Sequence, residues 1–201
     1  MRQRRSSAYR LSIMSLLVAL IILQSSLPMV GYISLGGISI TTLHLTVITG
    51  AVVLGTGYGT ALGAVWGLSS FIMAFVRPSD VLTILLFRNP IIAFVPRILA
   101  GLVAGLLFNQ LLPKVRTGLG GSIKMSLAGI CAALTNTLLV VGFTWIFYAS
   151  KAATMIGHGA NTSNFGFVML AMLGVNAVAE VIMAGVVTPI LGQALIRFRR
   201  R

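Results

Sequence analysis

Several polar side chains stand inside long apolar segments of this sequence. They comprise one cation, one carboxylate and four uncharged groups: Arg97, Glu180, Trp66, Thr135, Asn136 and Asn176. Polar groups within apolar spans are costly in lipid and usually face the interior of a helix bundle or a water-filled cavity. A guanidinium can grip a carboxylate through two parallel hydrogen bonds, and amides and hydroxyls suit the polar groups of a small ligand. Together these residues predict a polar ligand pocket inside a membrane protein.

A structural role is the alternative for each of these side chains. Asn136 or Asn176 can simply form a hydrogen bond with a neighbouring helix. Arg97 can pair with Glu180, or extend its charged head toward water. Both interpretations stay open on the sequence alone.

Motifs for catalysis are missing from the sequence. The only acidic residues are Asp80 and Glu180, and no H-E-x-x-H, cysteine cluster or G-x-S-x-G occurs. The glycine-rich stretch 55–59 lacks the G-K-[ST] that a phosphate-binding loop requires. We therefore expect a protein that is not an enzyme, binds no metal, needs no cofactor and does not hydrolyse ATP itself.

The elements that must hold the polar residues are apolar runs. Hydrophobic residues make up 57% of the 201 residues and charged residues only 8%. The main runs cover residues 11–23, 44–54, 60–76, 91–112, 123–149 and 165–196. In lipid each backbone polar group must be paired within its own segment, so the runs predict helices, and the alternating strands of a barrel are absent. The predicted fold class is all-α, a bundle of six transmembrane helices forming one domain over residues 1–201.

The second run is too short to cross a bilayer unless it leans or begins in the preceding loop. Such a segment is tolerated only where protein covers it or water reaches it. Its outer end, at His44, is therefore a candidate wall of an external substrate pocket.

The basic residues are distributed unevenly along the chain. The formal net charge is +13, and most of the 15 Lys and Arg residues lie in the termini 1–10 and 197–201 or in the connection between the fourth and fifth runs. With six crossings these regions share one side, and cytoplasmic segments are enriched in Lys and Arg. We expect a multi-pass protein with both termini in the cytoplasm, and no soluble module that would bind nucleic acid.

Two stretches of the chain resemble a known transporter family. The first holds Gly50-Ala51-Val52-Val53-Leu54-Gly55, Tyr58-Gly59, Leu62-Gly63, Gly67-Leu68 and Pro78, and the second holds Asn89-Pro90, Pro96-Arg97-Ile98-Leu99-Ala100-Gly101 and Ala104-Gly105. In residue types, order and spacing they resemble the substrate-binding S components of energy-coupling factor (ECF) vitamin transporters.

The resemblance implies partners as well as a ligand. Such S components bind one vitamin from outside, then associate with a transmembrane T component and two cytoplasmic ATPases that use ATP, in the bacterial cytoplasmic membrane. Small residues on the first helix contact the T component in this family. Ser15 and Ala19 are the nearest match here, and they are the predicted docking residues.

The substrate prediction also follows from the resemblance. The chain looks most like the pantothenate type, with pyridoxine, hydroxymethylpyrimidine and folate carriers as alternatives. The predicted substrate-binding residues are Arg97, Asn136, Thr135, Asn176, Glu180, Trp66, His44 and Asn89. Two functions of another class remain, a channel or facilitator that works alone and a membrane scaffold protein without a small ligand.

Overall fold

The structure, a computed structural model, describes residues 2–27, 30–35, 38–78, 81–111, 115, 117–156 and 165–200. Its helices are α1 (Arg2–Ser26), α2 (Leu43–Leu54), α3 (Thr56–Val76), α4 (Val81–Phe87), α5 (Pro90–Leu106), α6 (Gly118–Ile156) and α7 (Phe165–Arg200). A π-helical turn, Leu107–Leu111, continues α5. Asp80 lies outside the described residues.

Five of the described helices contain a stretch long and apolar enough to cross a membrane. The stretches are Ala8–Ser26, Thr56–Val76, Pro90–Leu111, Gly118–Tyr148 and Asn176–Arg197, and α2 is a shorter apolar helix. The prediction of a helical bundle with five long spans and one short helix is confirmed.

Two segments that were expected to be loops contain regular structure. Between α1 and α2, strands β1 (Tyr32–Leu35) and β2 (Ile38–Thr41) form an antiparallel hairpin with Tyr32 opposite Thr41. Between α3 and α5, Leu86 of α4 packs with Ile92 of α5 in a small apolar cluster. Burial of Leu86 contributes to the stability of a two-turn helix where the sequence indicated only a connection.

Glycines bring α3 and α5 into close contact. A Cβ atom on Gly63 would collide with the carbonyl oxygen of Arg97, and one on Gly67 would lie 2.9 Å from the carbonyl oxygen of Ala93. Likewise, a Cβ on Gly101 would collide with the Gly59 carbonyl oxygen. Small residues at four-residue spacing let helix backbones approach closely in lipid, which is the packing seen here.

The short helix α2 lies in the centre of the bundle. All twelve of its residues are buried, and it packs against α1, α3, α5, α6 and α7. Twelve residues rise only about 18 Å, well short of the ~30 Å hydrocarbon thickness. The longer helices around α2 therefore extend past its first residue, and the expectation that protein covers this segment is confirmed.

The end of the bundle at which α2 begins also carries the hairpin and α4, and we call it the hairpin end. The C-terminal part of α1 reaches it, because the Thr46 hydroxyl donates a 3.0 Å hydrogen bond to Oε1 of Gln24. At the opposite end of α2 the chain turns into α3 through Gly55, whose φ of +121° is rarely adopted by residues with a side chain.

Candidate functional site

The candidate site lies at the hairpin end, around the first turn of α2. The backbone N–H groups at the start of a helix are only partly satisfied and carry a partial positive charge. Thr42 precedes the helix and makes no side-chain cap. The start of α2 is therefore an electropositive point in the middle of the bundle.

Arg97 of α5 is held between two aromatic rings. Its guanidinium carbon lies 4.4 Å from the centre of the Phe87 ring and 5.2 Å from that of Trp66, and Nη1 donates a 2.6 Å hydrogen bond to the Ile92 carbonyl oxygen. The side chain is only 4% exposed. The rings fix the guanidinium plane, and Gly63 lets the backbone of Arg97 sit directly against α3.

His44, in the first turn of α2, lies at the level of Arg97. The two helices run parallel, since Val47 of α2 lies beside Gly101 of α5 and Asn109 Nδ2 donates to the Ala51 carbonyl oxygen at 3.0 Å. His44 and Arg97 each come one turn before the Val47–Gly101 contact. The register of the two helices therefore places His44 and Arg97 at the same level of the bundle.

Glu180 of α7 is joined to the hairpin. Its Oε1 accepts a 3.0 Å hydrogen bond from the backbone N–H of Thr41, the last residue of β2. The carboxylate thus lies near the positive start of α2, where a negative charge is favourable.

The packing of α6 against α7 sets the level of the two asparagines. Ser126 Oγ donates to the Gly185 carbonyl oxygen at 2.6 Å, and Gln193 Nε2 donates to Ser122 Oγ at 3.0 Å, so the helices are antiparallel. In antiparallel helices, each step forward along α6 corresponds to a step backward along α7. Asn136 lies ten residues past Ser126 and fourteen past Ser122, so it stands opposite residues 175–179 of α7, in the region of Asn176 and Glu180.

Several buried polar atoms in this region have no hydrogen-bond partner among the described residues. They are both ring nitrogens of His44, Nε1 of Trp66, and the Oδ1 atoms of Asn136 and Asn176. The His44 ring approaches the backbone of Thr41 and Glu180 without a hydrogen bond of good geometry. Buried polar groups in folded proteins are normally satisfied, so a cluster of such atoms indicates a place where a ligand or water completes the bonding.

Two of the predicted binding residues are engaged by the fold. The Thr135 hydroxyl donates to the Cys131 carbonyl oxygen in its own helix at 2.7 Å. Asn89 caps α5, with Oδ1 accepting from the Ile91 N–H at 3.0 Å, and its Nδ2 donates to the Tyr148 hydroxyl at 3.3 Å. These hydrogen bonds give Thr135 and Asn89 structural roles, and their roles in substrate binding stay predictions.

Two residues that position the site carried little signal in the sequence. Phe87 covers the guanidinium of Arg97, and Thr41 anchors Glu180. Phe87 looked like one more apolar residue of a connection, although its place two residues before the helix cap Asn89 could have indicated contact with α5. Thr41 belongs to the β-branched run that precedes α2, which was expected to be a loop, although its β-branched residues could have indicated a strand.

The predicted docking residues lie on an accessible face of α1. Ser15 and Ala19 are both exposed, and α1 is the least buried of the five long spans. Two small residues four positions apart form a shallow stripe on which another helix could pack closely. The position fits a docking face, and the role itself stays a prediction.

The chain is similar along most of its length to known membrane transport proteins. Residues 9–192 match the family model for the ECF transporter, substrate-specific component. The pantothenate transporter PanT of Leuconostoc mesenteroides is 31% identical over 195 residues, which cover 95% of this chain and 94% of the relative. The pantothenic acid transporter PanT of Lactococcus lactis is 29% identical over 171 residues, 79% of each chain.

Proposed function

Because the chain belongs to the substrate-specific components of ECF transporters, we propose that it captures pantothenate at the hairpin end and delivers it to an ECF importer. The names of the two relatives, which align along most of the chain, support this substrate. The chain is a subunit of a membrane transport system, and the vitamin and the direction of transport are the parts that we propose.

The observation that carries the proposal is the placement of Arg97. A guanidinium that is 4% exposed and stacked on two rings is preorganised to bind a carboxylate through a planar pair of hydrogen bonds. The start of α2, at the same level of the bundle, adds the favourable end of a helix dipole. Pantothenate offers one carboxylate, an amide and two hydroxyl groups, which suits a site with one cation and several neutral polar atoms.

A carboxylate such as that of Glu180 would favour an aminopyrimidine or pyridine substrate, because it can pair with a ring nitrogen. One of its carboxylate oxygens is already bonded to the Thr41 backbone. That contact gives Glu180 a structural role and weakens the chemical reason for preferring hydroxymethylpyrimidine or pyridoxine.

We further propose the partners that the family implies. A T component would dock on the α1 face that includes Ser15 and Ala19, and two ATPases would supply the energy. In this arrangement ATP is used by the partner subunits and the chain itself needs no cofactor. The distribution of basic residues supports cytoplasmic termini, so the hairpin end would face outward in the bacterial cytoplasmic membrane.

Two measurements test the proposed function. Isothermal titration of the purified chain should show saturable binding of pantothenate, with pyridoxine, hydroxymethylpyrimidine and folate bound much more weakly. In proteoliposomes, accumulation against a gradient should require the T component, both ATPases and ATP. Absence of pantothenate binding would reject the substrate, and concentrative uptake by the chain alone would reject the S-component mechanism.

A further inference from the structure

We propose that Asn136 and Asn176 select the substrate through its hydroxyl groups, on the α6–α7 side of the site and away from Arg97. The assignment rests on the proposed pantothenate function and adds the orientation of the ligand. The pantoyl end, with its two hydroxyls, would lie against α6 and α7, and the carboxylate would lie against α5.

The first step of the argument is that two amide oxygens on facing helices are not used by the fold. Oδ1 of Asn136 and Oδ1 of Asn176 are buried without a hydrogen-bond donor among the described residues. Polar side chains nearby on α6 behave differently, because the hydroxyls of Thr135 and Thr144 donate to carbonyl oxygens one turn earlier, at 2.7 Å each. Buried amide oxygens without a hydrogen-bond donor indicate a position where a ligand hydroxyl can donate.

The opposite side of the site offers donors. Arg97 has only N–H donors, and Nε1 of Trp66 is a donor that is buried without an acceptor among the described residues. An anionic group fits this side, since both residues can donate to it. The two sides of the site therefore have opposite hydrogen-bonding character.

Arg97 and Asn136 belong to two helices that pack on each other, since α6 packs on both α5 and α7. Ile92 of α5 and Val140 of α6 share one apolar cluster. Arg97 and Asn136, each about one turn from these residues, therefore lie on neighbouring helices near the same level. Packed helices lie about 8–10 Å apart, comparable with the length of a small molecule that carries a carboxylate at one end and hydroxyls at the other.

Substrate analogues and variants can be crossed to test the orientation. Pantothenol, in which a hydroxymethyl group replaces the carboxylate, probes the Arg97 side. An analogue with hydrogen in place of both pantoyl hydroxyls probes the α6–α7 side. Wild type, Asn136→Leu, Asn176→Leu and Arg97→Gln are each titrated with pantothenate and both analogues. The Kd of each analogue is divided by the Kd of pantothenate for the same variant, so that general effects on folding cancel. Thr144→Val serves as the control, because its hydroxyl is satisfied within α6.

Wild type should discriminate against the deoxy analogue by about tenfold or more, as expected when a buried acceptor loses its donor. In Asn136→Leu or Asn176→Leu that ratio should fall toward one, while the ratio of pantothenol to pantothenate stays as in wild type. In Arg97→Gln the ratio of pantothenol to pantothenate should fall toward one, while the ratio for the deoxy analogue stays as in wild type. Thr144→Val should keep both wild-type ratios. Unchanged deoxy discrimination in both asparagine variants would overturn the inference. A wild-type chain that binds no pantothenate would instead reject the proposed function.

Discussion

The backbone N–H of Thr41 donates a 3.0 Å hydrogen bond to Oε1 of Glu180, joining residues 139 positions apart in the chain. Thr41 ends the hairpin and stands two residues before α2, and Glu180 belongs to α7. One carboxylate thus fixes the hairpin and the start of the central helix relative to a transmembrane helix. It does so beside Arg97 and His44, so the shape of the candidate site depends on it.

The first prediction follows from this bond. Glu180→Ala should lower the free energy of unfolding by about 1–3 kcal/mol, because a buried N–H is left without its acceptor. Glu180→Gln should lose less, since its amide oxygen can still accept from Thr41. Thermal unfolding in detergent and hydrogen exchange of the Thr41 amide measure the effect, with Ser12→Ala, an exposed change on α1, as the control. Wild-type stability and exchange in Glu180→Ala would show that the contact does not hold the hairpin.

A second prediction concerns the charge of Arg97. Arg97→Ala should weaken pantothenate binding by about 2–5 kcal/mol, the usual effect of removing one member of a buried charge-assisted contact. Arg97→Lys should recover only part of the affinity, because an ammonium lacks the planar fork. Titration gives the affinities, and melting curves without ligand show whether the variants remain folded. Normal affinity in a stable Arg97→Ala protein would remove this residue from the site.

The contact between α3 and α5 supplies a third prediction. Gly63→Ala places a methyl group against the Arg97 carbonyl oxygen, so the helices must move apart, which should lower the stability by about 1–3 kcal/mol. Pantothenate binding should weaken as well, because Arg97 moves with α5. Gly57→Ala is the matched control on the same helix, since a Cβ there meets no atom within 4 Å. Equal melting temperatures and affinities for the two variants would contradict the close approach.

A fourth prediction concerns the docking face on α1. Ala19→Leu or Ser15→Leu should reduce association with the T component, because a larger side chain blocks close helix packing. Pantothenate binding by the isolated subunit should be unchanged. Co-purification with the T component measures assembly, and Val186→Leu, a similar enlargement at an exposed position of α7, is the control. Undiminished assembly in both α1 variants would place the docking face elsewhere.

The fifth prediction tests orientation in the membrane. In a Cys131→Ala background, an impermeant thiol reagent should label Val30→Cys in intact cells, whereas Val115→Cys should require permeabilised cells. Both valines are exposed, at 43% and 49%, and they lie in connections that the distribution of basic residues assigns to opposite sides. Labelling of Val115→Cys from outside would reverse the proposed orientation.

The sequence by itself determined the elements and the kind of side chain that the site would use. Apolar runs predicted the long helices and the short α2, because the need to pair each backbone polar group in lipid is satisfied locally, within one helix. The presence of Arg97 in an apolar run predicted a functional position. These inferences needed only near neighbours along the chain.

The tertiary structure alone decided which residues meet. No local pattern shows that α2 lies at the centre, that Phe87 covers Arg97, or that Glu180 binds the backbone of Thr41. Each of these contacts joins separate elements, and it forms only after the helices pack in one register. Hydropathy and charge describe the preference of a residue for lipid or water, whereas the pairing of distant residues depends on the shapes of packed helices.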